Sequence, residues 1–428
     1  MGIVIRDALA ILPGVQAAED FQIGKHTIYI TDDLIAGIDQ KPEGFSEDRV
    51  IDGKDRLVIP GLINAHTHSY MSMMRNSADD LSFMDWLFKR VDPIEGRMEP
   101  EDAYWASLLS QIEMIRSGTT TFHDMQMHIH QTTKAVSQSG MRAVICRGLV
   151  GDSYDREDVR LRQALEEMEA WKDCGRLSFR LGPHAPYTCG PDYLRMVADV
   201  AKEKGLGIHI HLSESMTEIE NMKKDHGCTP IEYALRAGIF DVPVIAAHCV
   251  QLQEGDISIL AEHGVNVVTN PASNMKLGNG FAPVPELLAA GVNVCLGTDG
   301  AASNNAQNMF REMSHLALIH KGTHRTPQCV GAAQVFEAAT AAGARALQLN
   351  TGSIETGRKA DLAILRLDVA SMMPNNNLLA ALCYSADGSE TDTVIIDGKI
   401  VMENRELKTI DEEMVYAKVR EMCVRLGL

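Results

Sequence analysis

The sequence predicts an α/β protein: a TIM-like (β/α)8 barrel with a small β-sandwich domain formed from both ends of the chain. Three observations carry that expectation. Apolar strand candidates alternate with amphipathic helix candidates through the middle of the sequence, the pattern of parallel β-α units. Eight such strands can be counted, and eight close most simply into a barrel. Short alternating runs with Asp-Gly turns occur at both ends, at 27–38, at 50–53 and at 394–401, so the two ends are expected to fold together.

The strand candidates span 62–68, 119–124, 143–149, 177–184, 207–214, 244–250, 266–270 and 293–299. The segment 102–117 illustrates the helices between them, with Trp105, Leu108, Leu109, Ile112 and Ile115 on one face and Gly118 as its stop signal. With 428 residues, the chain exceeds the usual single-domain length, so a large domain of about 250 residues plus a smaller one is expected. The division is 1–58 (sandwich, first part), 59–350 (barrel) and 351–428 (sandwich, second part, with a C-terminal helix).

Composition excludes several function classes. A content of 45% hydrophobic and 23% charged residues is ordinary for a globular protein, so function must come from a site. The net charge of −18 repels phosphate backbones and anionic membrane surfaces, which argues against nucleic-acid or membrane binding. No window approaches the roughly 20 apolar residues of a membrane span, and Met1 to Arg6 lack a basic leader before an apolar run, so a cytoplasmic location is expected. The nine cysteines are scattered without a CxxC pair and read as buried free thiols, Cys249 included.

In a barrel of this kind the chemistry sits at the C-terminal ends of the strands, and polar residues gather there. His66 and His68 end the first strand, His123 and Asp124 the second, Arg147 lies near the end of the third, and His184 ends the fourth. His211 and Glu214 end the fifth, His248 the sixth, Asn270 the seventh and Asp299 the eighth. Because side chains alternate along a strand, His66-Thr67-His68 projects two imidazoles to one side. Alone, HxH does not separate a metal site from a satisfied pair. With His211 and Asp299 on the same rim, three imidazoles and one carboxylate suit a borderline divalent ion such as zinc and leave room for water. His209-Ile210-His211 is itself an HxH. The HxxE spacing from His211 to Glu214 puts a carboxylate just beyond the strand end, where it can face both water and substrate, so His211 is taken as functional and His209 as structural.

The segment Pro60-Gly61-Leu62-Ile63-Asn64-Ala65-His66-Thr67-His68 resembles the amidohydrolase superfamily, whose fold is a metal-dependent hydrolase barrel. The resemblance continues through 183–188, 209–214, 247–249, 270–277 and 297–305, and into 357–362 near the C-terminal end. The NPASNMKL and GTDGAASNN segments are most similar to the branch that deaminates methylthioadenosine and S-adenosylhomocysteine. It implies hydrolysis of the adenine ring of 5'-substituted adenosines, to the inosine analogue and ammonia, by a metal-activated water. The alternative is another purine, a pterin or an s-triazine on the same barrel.

Carried over residue by residue, the resemblance makes His66, His68, His211 and Asp299 metal ligands. Glu214, His248 and Asp299 become the acid-base and orienting groups. Two-metal members place a carboxylated lysine at the end of the fourth strand; here His184 stands there, so one divalent ion is expected, zinc first, with Fe2+ or Mn2+ as alternatives. Trp86, Glu95, Arg147, His184 and Ser303 are implied to line the nucleoside pocket, with Glu95 accepting the ribose hydroxyls and His184 and Ser303 meeting purine nitrogens. The family's second arginine for the homocysteine carboxylate falls in a differently spaced loop, where Arg160 is the choice among Arg156, Arg160 and Arg162. The partner is thus a small nucleoside. A homo-oligomer is implied, in which Arg147 serves its own pocket or a neighbour's.

Overall fold

The computed structural model describes residues 2–14 and 20–428. Its centre is two parallel sheets. The first contains Leu62–Thr67, Thr119–Gln126, Arg142–Leu149, Leu177–Phe179 and Gly182–Pro183; the second contains Ile208–Leu212, Val244–His248, Asn266–Thr269 and Val294–Leu296. Every neighbouring pair in them is parallel. Nearly all of these residues are buried on both faces, which is why the strands read as apolar runs with no clean alternation.

Each of the eight expected strands has a counterpart, but the fourth is broken. Around the break the hydrogen bonds alternate between neighbours: the Arg180 N–H donates to Ile145 on the third strand at 3.1 Å, whereas the Leu181 N–H donates to the Gly207 carbonyl at 3.0 Å, and the His209 N–H donates back to Leu181 at 2.9 Å. Leu181 thereby bridges to Ile208 across the edges of the two sheets. At the opposite edges, the Asp299 N–H donates to the His66 carbonyl at 3.0 Å, and Asn64 binds Thr298 through both its amide atoms at 2.7 and 3.0 Å. A glycine is required here, since a Cβ on Gly297 would sit 2.9 Å from His66 backbone atoms and 2.6 Å from Asn270 Oδ1.

The helix expected at 102–117 spans Pro100–Arg116, with the Glu99 N–H donating to Asp102 Oδ2 at 2.7 Å at its start and Gly118 at φ 80° past its end. Leu108, Ile112 and Ile115 are buried beneath it.

Among the described residues, strands from both ends of the chain join one nine-stranded sheet. Arg56–Pro60 pairs antiparallel with Leu362–Arg366, which stitches the two ends together. The expected turn at Asp397-Gly398 joins Thr391–Ile396 to Lys399–Glu403, both turn residues having positive φ, as a tight hairpin requires. The run at 27–38 is divided between Phe21–Thr31 and Leu34–Ile38 by a turn with Asp32 at φ 53°. Gly2–Pro13 lies inside the sheet, and its almost unbroken burial, with a bulge between Ile5 and Ala8, left no period-two pattern to read.

The parallel sheets and the terminal sheet are locked together by charge. Arg142, on the third parallel strand, donates from Nε to Asp361 Oδ2 at 2.6 Å and from Nη2 to Asp397 Oδ1 at 2.8 Å, while the Asp397 N–H donates to Asp361 Oδ1 at 2.7 Å. Arg142 is 4% exposed and Asp361 1%. Arg142→Met would strand the Asp361 carboxylate, and the expected loss of stability is about 3–5 kcal/mol, measured by urea unfolding. A loss within about 0.5 kcal/mol, the range of an ordinary surface change, would show that Asp361 does not depend on this guanidinium.

Candidate active site

The first strand ends on Thr67, between His66 and His68, so both rings point to the same side. His66 Nε2 lies 3.5 Å and His68 Nε2 3.4 Å from Asp299 Oδ1 on the eighth strand's end. The candidate donor atoms of His66, His68 and His211 lie within 4.8 Å of one another, and so do those of His66, His248 and Asp299. His68 Nδ1 donates to the Met125 carbonyl at 2.7 Å, His211 Nδ1 to the His184 carbonyl at 2.7 Å, and His248 Nδ1 to Asn274 Oδ1 at 2.9 Å. A neutral ring with its Nδ1 proton so engaged turns an Nε2 lone pair to the centre. His66 Nε2 is fully buried and, among the described residues, has no hydrogen-bond partner. A converging set of imidazole lone pairs beside a carboxylate, one of them orphaned in the interior, fits a divalent cation.

Asp299 is held from its other side. Its Oδ2 accepts from Ser273 Oγ at 2.6 Å and Ser303 Oγ at 3.1 Å, and its Oδ1 accepts the Gly300 N–H at 2.7 Å. Burial alone would push this carboxyl up, but contact with His66 and the nearby imidazoles holds it well below the usual carboxylate range. Burial also takes the His66 imidazole down to about 4. Glu214 behaves in the opposite sense. Burial first, then the Asp299 charge, pushes its carboxyl well above the ordinary value, with Asn279 donating to Oε1 at 3.1 Å and His248 Nε2 lying 3.7 Å from Oε2. One site therefore pushes two neighbouring carboxyl groups in opposite directions, the arrangement acid-base chemistry needs.

The strand ends are strained to aim these groups. Ser213, His248, Cys249 and Asp299 all have positive φ, between 47° and 74°. Cys249 is buried and its thiol is raised by burial, so it packs and does not react.

Above the cluster opens a cavity of about 350 Å³, with His68, His211, Glu214 and Asp299 among its lining. Trp86, Glu95, Arg160 and His184 line it too. Trp86 is fixed by its indole N–H donating to the Ala302 carbonyl at 3.1 Å. Glu95 accepts the Tyr70 hydroxyl at 2.5 Å, and burial raises its carboxyl. Arg160 is exposed and makes no ion pair among the described residues. Arg147 and Ser303 are not in this lining: the Arg147 guanidinium binds Glu167 Oε2 at 3.1 Å and Gln163 Oε1 at 2.7 Å, and Ser303 is fully buried against Asp299 and Ser273.

Sequence reading did not single out the supporting residues. Asn274 and Ser273 stand within the NPASNMKL segment, so their motif was visible while their partners were not. Tyr70 and Asn279 carried no spacing signal, because each meets its carboxylate only through tertiary folding.

Known proteins resemble this chain in sequence and fold. The Amidohydrolase family model matches residues 57–401. A 5-methylthioadenosine/S-adenosylhomocysteine deaminase from Acetivibrio thermocellus is 48% identical over 433 residues, covering 100% of both chains. A zinc-bound adenosine deaminase structure from Xanthomonas campestris superposes with a TM-score of 0.93 at 31% identity, over 99% of this chain and 98% of that one. An atrazine chlorohydrolase from Arthrobacter aurescens, complexed with zinc, gives 0.90 at 24% identity over 98% and 99%, which speaks for the fold alone. With the family model running from the strand that joins the two ends to the last long hairpin, and a full-length relative at 48% identity, the chain belongs to the amidohydrolase family.

Proposed function

We propose that the protein hydrolytically deaminates the adenine ring of 5'-substituted adenosines, S-adenosylhomocysteine and 5'-methylthioadenosine foremost, releasing ammonia and the inosine analogue. The observation that carries this reading is one cavity with a buried acid, Glu214, at its floor and Glu95 and Arg160 among its walls. The name of the Acetivibrio thermocellus relative supports the substrate class.

His66, His68, His211 and Asp299 would hold one divalent ion, zinc first, a choice supported by the zinc bound in the Xanthomonas campestris structure. When bound, such an ion supplies an acidified water as nucleophile near neutral pH. Glu214 carries the proton that ring nitrogen 1 must gain as carbon 6 is attacked. Asp299 takes one proton of the attacking water and passes it to the departing amine, so that ammonia leaves neutral, while the proton left on the new carbon 6 hydroxyl returns to Glu214 as the carbonyl forms. His248, with Nδ1 bound to Asn274, aims Nε2 at the nucleophile. Glu95 meets the ribose hydroxyls, Trp86 and His184 enclose the base, and Arg160 takes the 5' side. Ser303 acts by holding Asp299; Arg147 stays a candidate for contact with a neighbouring subunit of a homo-oligomer.

The same reading includes closure of the two parallel sheets into one (β/α)8 barrel over 59–350, with 1–58 and 351–428 packed as a sandwich. The sheet-edge contacts at Leu181 and at Asp299 support closure. No helix among the described residues is long and apolar enough to cross a membrane, and the nine free cysteines suit the reducing cytoplasm.

The direct test is incubation of the purified protein with adenosines and free bases, following ammonia and the ultraviolet change from adenine to hypoxanthine. Turnover of 5'-substituted adenosines without turnover of guanine or s-triazines is expected; the reverse would overturn the substrate assignment. Metal analysis of active protein is expected to return one divalent ion per chain, with activity lost on chelation, whereas two stoichiometric ions would contradict the ligand set. Glu214→Gln should keep its metal and lose about 100-fold or more in rate. Near-full turnover would assign the proton to another group. Arg160→Ala should lower kcat/KM about 10- to 150-fold on S-adenosylhomocysteine, the value of a charge-assisted contact to a carboxylate, and spare methylthioadenosine. Equal loss on both substrates would remove Arg160 from that role.

A further inference from the structure

We infer that His209 is a positioning residue that presents His66 to the metal, by accepting the His66 Nδ1 proton and so fixing the Nε2 lone pair toward the ion. The assignment rests on the metal site proposed above.

His68, His211 and His248 each turn Nδ1 to an oxygen, and a carbonyl oxygen can only accept, so their tautomers are set by the backbone or by Asn274. His66 differs. Its Nδ1 faces the Nε2 of His209 at 2.9 Å, a ring nitrogen that can donate or accept. Coordination requires a lone pair on His66 Nε2, which puts the proton on Nδ1. The nitrogen beside it must then accept, which puts the proton of His209 on its own Nδ1. Among the described residues that Nδ1 has no hydrogen-bond partner, so no neighbouring donor opposes this tautomer.

The rings are held for the purpose. His66 and His209 lie nearly parallel, 26° apart with centroids at 4.8 Å, and His123 closes on His209 edge-on at 4.2 Å and 77°. His123 is fixed in turn by Nδ1 donating to the Ala65 carbonyl at 3.3 Å. His209 is fully buried and is not in the cavity lining, so it touches neither substrate nor solvent. Its neighbours on the strand support the same end: Ile210 points into the apolar core, and His211 reaches the site directly.

The test compares zinc affinity, by competition with a chromophoric chelator, for metal-stripped parent, His209→Phe and His209→Gln proteins. Phe has no acceptor; Gln offers an oxygen at about the reach of Nε2. Groups that orient a metal-bound histidine change affinity by about 10- to 100-fold when removed. His209→Phe is therefore expected to bind zinc about 10- to 100-fold more weakly, with His209→Gln recovering most of the loss, and with thermal unfolding of the metal-free forms alike. Parent-like affinity in His209→Phe would overturn the inference, as would equal weakening in both variants at equal metal-free stability. If His209→Phe does not fold, His209→Met, which also lacks an accepting oxygen, takes its place under the same criteria. No nucleoside enters the measurement, so an error in the substrate assignment does not alter its outcome, while a parent that takes up no zinc would overturn the metal site and this role with it.

Discussion

A buried imidazole is oriented by the acceptor its ring N–H finds, and contacts of that kind organise the catalytic end of this molecule. His68, His211 and His248 make them with oxygens of Met125, His184 and Asn274, which come from the ends of other strands or from the helix beyond them. Each histidine is thus oriented by an element other than its own. The rim cannot form piecemeal, because every lone pair that faces the centre depends on a neighbouring strand being in register.

Carboxylates outside the cavity carry out the same task for the backbone. Asp124 accepts the Ser69 N–H at 2.8 Å and its hydroxyl at 2.6 Å, pinning the chain just after His68; burial pushes that carboxyl up to about 6. Glu218 accepts the Glu214 N–H at 2.7 Å and the Ser213 N–H at 3.3 Å, which steadies a strand end whose Ser213 is at φ 53°. Positive φ at Ser213, His248 and Asp299 costs roughly 1–3 kcal/mol each, and contacts of this kind are what over-determine such conformations. Strain at the rim and buried carboxylates behind it are two sides of one construction.

What the sequence disclosed follows from how local each signal is. HxH at 66–68 acts through strand alternation and HxxE at 211–214 through a carboxylate placed just past the strand end, so two or three residues of text suffice, and the structure brings these groups together with His248 and Asp299. Arg147 was legible as a residue near a strand end but not in direction, because a long side chain two residues before Leu149 can swing outward, and here Glu167 on the following helix draws it there. Ser303 was tied to a motif, yet its partner Ser273 lies thirty residues earlier in sequence and its engagement with Asp299 is visible only in three dimensions. The terminal sheet was legible at its hairpins and opaque at Gly2–Pro13, since a strand buried on both faces loses the alternation that identifies strands.

The site divides its labour by depth. The groups that would change protonation in the proposed reaction, Glu214 and Asp299, are at most 5% exposed, where water cannot level the difference between them. The groups proposed to meet the rest of a substrate lie nearer solvent: Glu95 is half-buried and Arg160 is exposed on the first turn of its helix. A change at Arg160 meets neither the rim hydrogen bonds nor the strained strand ends, so under the proposed assignment the choice of 5' substituent can vary without disturbing the chemistry. The reverse does not hold. Any change that shifts a strand end moves His66, His211, His248 and Asp299 together, because their orienting contacts run from strand to strand around the same rim.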